Sequence, residues 1–196
     1  MKKLILPVVL LCVLLTGCTY PKKIQVGLDY YAADRAAIEH AAAFLPELES
    51  LGAYTDIRYT HQVTSYSTLL QFYSDGLALF VQYDPETYEV QKAQALASYT
   101  FLEEPVMRGT EFYTLPLTEF AYRGYLMKVV PDEYYLRSCA CKSFMLLGLN
   151  DEACSIAYLY YYDFDIDLIA EADDDLTYEM QRFIDDAFYW IEFRLR

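Results

Sequence analysis

Glycine, histidine and basic residues are scarce in this chain of 196 residues, and each shortage excludes a class of function. With only seven glycines, the sequence has no glycine-rich loop of the kind that cradles phosphate groups. Neither the H-E-x-x-H pattern of zinc proteases nor a G-x-S-x-G nucleophile elbow is present. Fifteen lysines and arginines face 29 aspartates and glutamates, and the formal net charge is −14. Because so acidic a chain repels phosphate backbones, we expect no nucleic-acid partner.

The two histidines are His40, in an alanine-rich segment predicted to be helical, and His61, on the apolar face of a predicted strand. A lone histidine in such a position is more often a hydrogen-bonded core residue than a ligand or a base. The sequence therefore favours a structural role for both, with ligand binding as the alternative.

The first 18 residues have the three parts of an export signal. Basic residues at 2–3 precede an apolar stretch over 4–14, and the tetrapeptide L-T-G-C follows at 15–18. The apolar stretch is about half of the roughly 20 residues that span a bilayer, so a transmembrane helix is disfavoured. The tetrapeptide resembles the lipobox of bacterial lipoproteins. This resemblance implies cleavage between Gly17 and Cys18 and a diacylglycerol on Cys18; the alternative is an ordinary signal peptide with a chance cysteine.

These features divide the chain into a signal peptide over 1–17, a lipidated tether over 18–27 and a single α+β domain over 28–196. After removal of the signal and lipidation of Cys18, the cysteines Cys139, Cys141 and Cys154 remain. In a predicted hairpin over 143–163, Cys154 lies near the turn, about 27 Å of strand from the other two. A disulfide needs Cα atoms within about 7 Å, so we predict free thiols.

The order of predicted strands and helices in residues 28–196 indicates an α+β fold, a mostly antiparallel sheet with about three helices packed on it. Two β-β-α units around a central strand pair fit the order of elements. The hairpin turn is expected at Asn150-Asp151, and the strands over 112–115 and 120–130 are expected to pair. Helices are predicted over residues 30–44, 85–102 and 173–193, and strands over 54–63, 77–83, 112–115, 120–130, 143–149 and 155–163.

Twenty-one tyrosines are the unusual feature of the composition. A tyrosine ring can be buried while its hydroxyl reaches water or another polar partner. One interpretation is a thin sheet with tyrosines on both faces, which the even spread along the chain favours. The other is a platform on which a ligand such as a sugar stacks.

An acidic run supplies the metal candidate. Asp163, Asp165 and Asp167 alternate like the first ligands of an EF-hand calcium loop. Leu168 stands where that loop needs glycine, and Asp174 replaces the bidentate glutamate. A strand end with its aspartates facing water explains the run equally simply, so calcium is a weak prediction and no other cofactor is expected.

A hydrolase of glycans needs two carboxylates that flank one bond. Asp84 and Asp163 are the candidates, since each follows an apolar, tyrosine-bearing strand; the alternative is that each ends its strand and begins a turn. The residues over 158–169 resemble segments of exported proteins of unknown function, which carries no activity with it.

We therefore expect a membrane-anchored extracytoplasmic lipoprotein that acts as a non-enzymatic binding or interaction module. Its partners would be the membrane, through the lipid, and an envelope protein or glycan. A glycan or cell-wall hydrolase that uses acidic residues is the alternative, and a purely structural envelope component is a third. The sequence leaves the oligomeric state open.

Overall fold

The computed structural model describes residues 22–67, 72–136, 142–164 and 168–188, and every structural statement below concerns these ranges. They form one seven-stranded and one three-stranded sheet, both antiparallel. Across the large sheet the strand order is β1-β2-β3-β9-β8-β7-β6, and across the small one it is β10-β5-β4. The strands are β1 (Lys22–Val26), β2 (Asp56–Ser67), β3 (Phe72–Gln82), β4 (Val106–Arg108), β5 (Phe112–Leu115), β6 (Glu119–Tyr122), β7 (Tyr125–Pro131), β8 (Ser143–Asn150), β9 (Ser155–Asp163) and β10 (Ala170–Glu171).

Two long helices and three short ones accompany these strands. Short 3-10 turns at Leu28–Tyr30 and Leu48–Leu51 flank the first two helices, so that residues 28–51 form an irregular layer. The helices are α1 (Tyr31–Ala37), α2 (Ala41–Phe44), α3 (Pro85–Ser98), α4 (Glu133–Leu136) and α5 (Leu176–Phe188). The predicted α+β class, with a mostly antiparallel sheet covered by helices, is confirmed.

The predicted arrangement of two β-β-α units around a central strand pair is also present. β2, β3 and α3 form the first unit, and β8, β9 and α5 form the second, with β3 and β9 adjacent at the middle of the sheet. The two long helices cover opposite faces, because Tyr88 of α3 joins one core cluster and Ile184 of α5 joins the other. The units are therefore not related by a simple repeat.

Side chains of successive strand residues point to opposite faces, and the two faces of this sheet differ in composition. We call one the tyrosine face; it packs under residues 28–51 and α3, and its buried aromatic residues are Tyr31, Tyr59, Tyr83, Tyr88, Tyr135, Tyr158, Tyr160 and Tyr162. We call the other the phenylalanine face; it packs under α5 and the small sheet, and its buried aromatic residues are Phe80, Phe120, Tyr122, Tyr125, Phe144, Tyr161 and Phe188.

The hairpin predicted over 143–163 is confirmed. β8 and β9 pair from Ser143–Tyr162 to Asn150–Ser155, and residues 151–154 make the turn. Cys154 ends that turn in the left-handed conformation, with φ of 49°, and carries a free, half-buried thiol. Cys139 and Cys141 lie outside the described residues.

Three local predictions are wrong. The strand predicted over 120–130 is a hairpin that turns at Arg123 and Gly124, whose φ values are 47° and 84°. The segment 112–115 pairs with β4 and β10 instead of with that hairpin. The helix predicted over 30–44 is broken at His40, whose φ is 64°. Residues 22–26, within the predicted tether, form the edge strand β1.

Candidate functional site

The two carboxylates proposed for glycan hydrolysis lie at opposite ends of the sheet. Gln82 pairs with Ser155 at one end of the β3–β9 ladder, and Ser74 pairs with Asp163 at the other, about 27 Å away. Asp84 caps α3 by accepting hydrogen bonds from the backbone amides of Glu86 and Thr87 at 3.1 and 3.0 Å. These hydrogen bonds lower the pKa of the Asp84 carboxyl. The two carboxylates therefore cannot flank one glycosidic bond, and that pairing is wrong.

Of the three calcium candidates, the structure describes Asp163 alone. It ends β9, is buried, and accepts a hydrogen bond from the Tyr161 hydroxyl at 2.9 Å. Asp165 and Asp167 lie outside the described ranges. Within those ranges no group of three or more metal-ligating side chains converges. The calcium site stays a prediction.

Most of the described tyrosines are buried, and several of their hydroxyls donate to other groups of the protein, whereas the buried hydroxyl of Tyr83 has no partner among the described residues. The Tyr31 hydroxyl donates to the carbonyl of Pro46 at 2.5 Å, and that of Tyr99 to the carbonyl of Phe44 at 2.7 Å. Burial raises the pKa of Tyr99 to about 12, so its hydroxyl keeps its proton at neutral pH. These tyrosines hold the tyrosine face to its cover and do not form an open stacking platform.

His61 is a hydrogen-bonded core residue, as predicted. It is 6% exposed, and its Nε2 lies 2.8 Å from Asp75 Oδ1. Its Nδ1 lies 3.1 Å from Asp34 Oδ2, without the alignment of a hydrogen bond, and the Tyr59 hydroxyl donates to the same oxygen at 2.9 Å. Burial lowers the pKa of His61, but the hydrogen bond to Asp75 and the charges of both carboxylates outweigh it, and the pKa is raised. This arrangement is closed to solvent.

His40 is placed differently, at the break between α1 and α2. Its Nδ1 lies 2.6 Å from Oδ2 of Asp132, which is only 4% exposed. The carboxylate also accepts hydrogen bonds from the Ser143 hydroxyl and, at 3.0 Å, from the amide of Tyr134. The His40 ring stacks on Tyr135 with ring centroids 5.2 Å apart. About 30% of the His40 side chain is exposed, so an imidazole oriented by a buried carboxylate reaches solvent.

A groove runs between residues 40–51 and the C-terminal half of α3, and it has two compartments that share the walls Ala43, Phe44, Ser98 and Tyr99. Each compartment has a volume of about 270 Å³. The His40 compartment is further lined by His40, Thr100, Val130, Pro131, Asp132 and Glu133. We call the other one the Arg35 compartment. Besides the shared walls, its lining includes the polar residues Arg35, Ser50, Gln91 and Gln94.

No protein family matches the chain, and neither a curated protein nor a solved structure is significantly similar to it. In the part of the chain that the structure describes, none of the helices is long and apolar enough to cross a membrane. The chemistry of the groove must therefore be argued from its own side chains.

Among the described residues, the hydrogen bonds around His40 include no nucleophile. A catalytic histidine needs a nucleophile within hydrogen-bond reach of the nitrogen opposite its orienting carboxylate. The charged group that approaches that nitrogen in the described part of the chain is the Glu39 carboxylate, whose Oε1 lies 3.9 Å from His40 Nε2. No serine, threonine or cysteine of the described ranges is hydrogen-bonded to His40.

Sequence reasoning did not find the groove. Its walls come from four separate segments, and His40 and Asp132 are 92 positions apart in the chain.

Proposed function

We propose that this chain is a lipid-anchored extracytoplasmic binding protein whose ligand occupies the groove. The groove carries the proposal, because its two adjacent compartments combine apolar walls such as Phe44, Leu45 and Val130 with charged and hydrogen-bonding side chains that could orient a ligand. The lipobox-like tetrapeptide at 15–18 supports the anchor on Cys18. Amide and hydroxyl groups along the groove suit either a glycan or a peptide.

The anchor would hold the groove close to the bilayer. Lys22, where β1 begins, lies four positions after Cys18, and four extended residues span at most about 14 Å. In the sheet, Lys23, Val63, Asp75, Tyr162 and Ser143 occupy one row across five strands. Since Ser143 bonds to Asp132, the His40 compartment lies at the end of the sheet where the anchored segment enters.

The anchor is tested by Cys18→Ala in the native host, with incorporation of a labelled fatty acid and flotation with membranes as readouts. Wild type should carry the label and float. The variant should lose the label, while Cys12→Ala, which removes the other cysteine of the same segment, should keep it. Equal labelling of wild type and Cys18→Ala would overturn the anchor.

The groove is tested with Ser98→Trp, because Ser98 borders both compartments and an indole there would fill them. Ala97→Trp, at the neighbouring exposed position of α3, is the matched control. Glycan and peptide fragments that raise the melting temperature of wild type and of the control should lose this effect in Ser98→Trp. If they act equally on all three proteins, the groove is not the binding site.

A further inference from the structure

We infer that the His40 compartment binds a cationic group of the ligand, an alkylammonium or guanidinium group such as those that end lysine and arginine side chains. This inference rests on the proposed binding function of the groove and specifies the chemistry of one half of it. Three features of the compartment carry it: the charges of its lining, the helix end that it contains, and the hydrogen-bonding capacity of its imidazole.

The lining of the compartment is acidic. Asp132 and Glu133 supply two carboxylates, and Glu39, which is not itself part of the lining, places a third carboxylate 3.9 Å from His40 Nε2. No lysine or arginine is among the described residues that line this compartment. Because Asp132 is buried, its charge is weakly screened by solvent, and a cation that enters the cavity would gain from that field.

The C-terminus of α3 adds to the same field. The helix ends at Ser98, and Tyr99 leaves it in an extended conformation. Ser98, Tyr99 and Thr100 line the compartment, so the last carbonyl groups of the helix lie beside it. A helix C-terminus carries about half a negative charge and favours cations, and the last turn of α3 contains no basic residue to offset it.

His40 offers a hydrogen-bond acceptor to such a cation. An ionised carboxylate can only accept hydrogen bonds, so Nδ1 of His40 donates to Asp132, and Nε2 is the ring nitrogen that can accept a hydrogen bond when the imidazole is in its neutral form. Ammonium and guanidinium groups are donors without acceptors, and they complement that nitrogen and the Glu133 carboxylate. The walls at Phe44 and Val130 provide apolar contact for the attached alkyl chain.

The other compartment shows the reverse polarity, which gives the ligand a direction. Arg35 lines it, donates to the carbonyls of Leu45 and Ala42 at 2.8 and 3.0 Å, and lies 3.6 Å from the exposed carboxylate of Glu47, which is not part of the lining. A second cation placed there would be repelled by the guanidinium. The cationic end of the ligand therefore belongs beside His40, and its neutral or anionic part beside Arg35.

The test uses the full lipidated chain in lipid nanodiscs and four probes of similar size: butylammonium, butylguanidinium, butyrate and butanol. Saturation-transfer NMR measures the affinity of each at constant ionic strength. The two cations should bind, and butyrate should not. Glu133→Gln should raise the Kd of the cations about two- to fivefold, the effect of one exposed ion pair. Glu86→Gln, at the distant first turn of α3, is the control and should leave the Kd unchanged.

Each other result overturns the inference. Equal affinity for butanol and butylammonium means an apolar cavity without charge selectivity. Tight binding of butyrate reverses the assigned polarity, and an unchanged Kd in Glu133→Gln removes the electrostatic cause. One further outcome separates this inference from the proposed function. If the cations do not bind, but an uncharged or anionic fragment does and Ser98→Trp abolishes its binding, this inference is overturned and the proposed binding function stands.

Discussion

The tyrosine face and the phenylalanine face of the central sheet are both buried, but they are covered in different ways. α5 crosses the phenylalanine face as a regular helix, in which most backbone groups are hydrogen-bonded within the helix and the carbonyls of Asp186 and Ala187 accept from the Gln62 side chain. It contributes Met180, Ile184 and Phe188 to a core that is largely hydrocarbon. The tyrosine face lies partly under residues 28–51, which form only short helices and 3-10 turns.

Irregular chain leaves backbone carbonyls without helical or sheet partners, and buried carbonyls need hydrogen bonds. Tyrosine hydroxyls supply them here: Tyr31 donates to Pro46, Tyr99 to Phe44, and Tyr160 to Glu39. The difference between the faces teaches why this sequence is so rich in tyrosine. A phenol fills core volume as phenylalanine does, and it also ties down a cover that lacks secondary structure of its own.

Among single substitutions, the largest loss of unfolding free energy is expected on the phenylalanine face. Phe144 is fully buried, and its ring centroid lies 5.8 Å from that of Tyr161 and 5.7 Å from that of Phe183. Phe144→Ala should reduce the free energy of unfolding by about 3–5 kcal/mol, because apolar contacts are lost and a cavity remains. Urea denaturation followed by circular dichroism measures it. A loss below about 1 kcal/mol would mean that this face is not tightly packed.

On the tyrosine face, His61 contacts two carboxylates, those of Asp34 and Asp75. His61→Leu should reduce the free energy of unfolding by about 2–3 kcal/mol, since the buried Asp75 loses its hydrogen-bond partner and the half-buried Asp34 loses its ion-pair partner. The pKa of His61 is raised from 6.5 by folding. Its stabilisation is therefore full below pH 6.5 and is lost as the pH rises through the folded-state pKa.

The comparison that isolates this titration is the difference in unfolding free energy between wild type and His61→Leu at several pH values. That difference should shrink as the pH rises above 6.5. A difference that grows with pH would show that His61 is neutral in the folded state. The Phe144→Ala difference, which involves no titrating group, should stay constant over the same range.

Removal of a single tyrosine hydroxyl should have a smaller effect. Tyr160→Phe keeps the buried ring and deprives the carbonyl of Glu39 of its donor, so about 1 kcal/mol of unfolding free energy should be lost. Tyr178→Phe, on the outer surface of α5 and 59% exposed, is the control and should be neutral. If the two substitutions had equal effects, the hydroxyls would not be what holds the irregular layer.

Local sequence patterns predicted the elements whose interactions are mainly local. The hairpin of β8 and β9 follows from two apolar runs around Asn150-Asp151, and α3 follows from Asp84 and Pro85 at its start. The inward face of α5 follows from the helical spacing of Met180 and Ile184. In each case the residues that decide the structure lie within a few positions of one another.

Features that depend on distant contacts were missed. An alanine-rich context predicts a continuous helix through His40, but the carboxylate of Asp132 holds that residue at a break. The turn at Arg123 and Gly124 is a different case, because a charged residue followed by glycine interrupts the apolar run and is a local turn signal that the prediction of a strand over 120–130 passed over. The groove forms where segments near residues 40, 95 and 132 pack together, and no residue spacing in the sequence predicts contacts between segments so far apart.

The smallest change in the free energy of unfolding is expected from the surface ion pairs. A pair on α5 and a pair in the irregular layer should contribute equally little. Arg182 and Glu179 lie 3.7 Å apart on the outer surface of α5, and Arg35 and Glu47 lie 3.6 Å apart in the irregular layer. Arg182→Ala and Glu47→Gln should each change the free energy of unfolding by less than about 0.5 kcal/mol, because water screens such pairs. A loss above 1 kcal/mol for Glu47→Gln alone would mean that charge, and not only tyrosine hydroxyls, holds the irregular layer to the sheet. Equal small effects on both covers would leave the buried hydroxyls as the feature that distinguishes the tyrosine face.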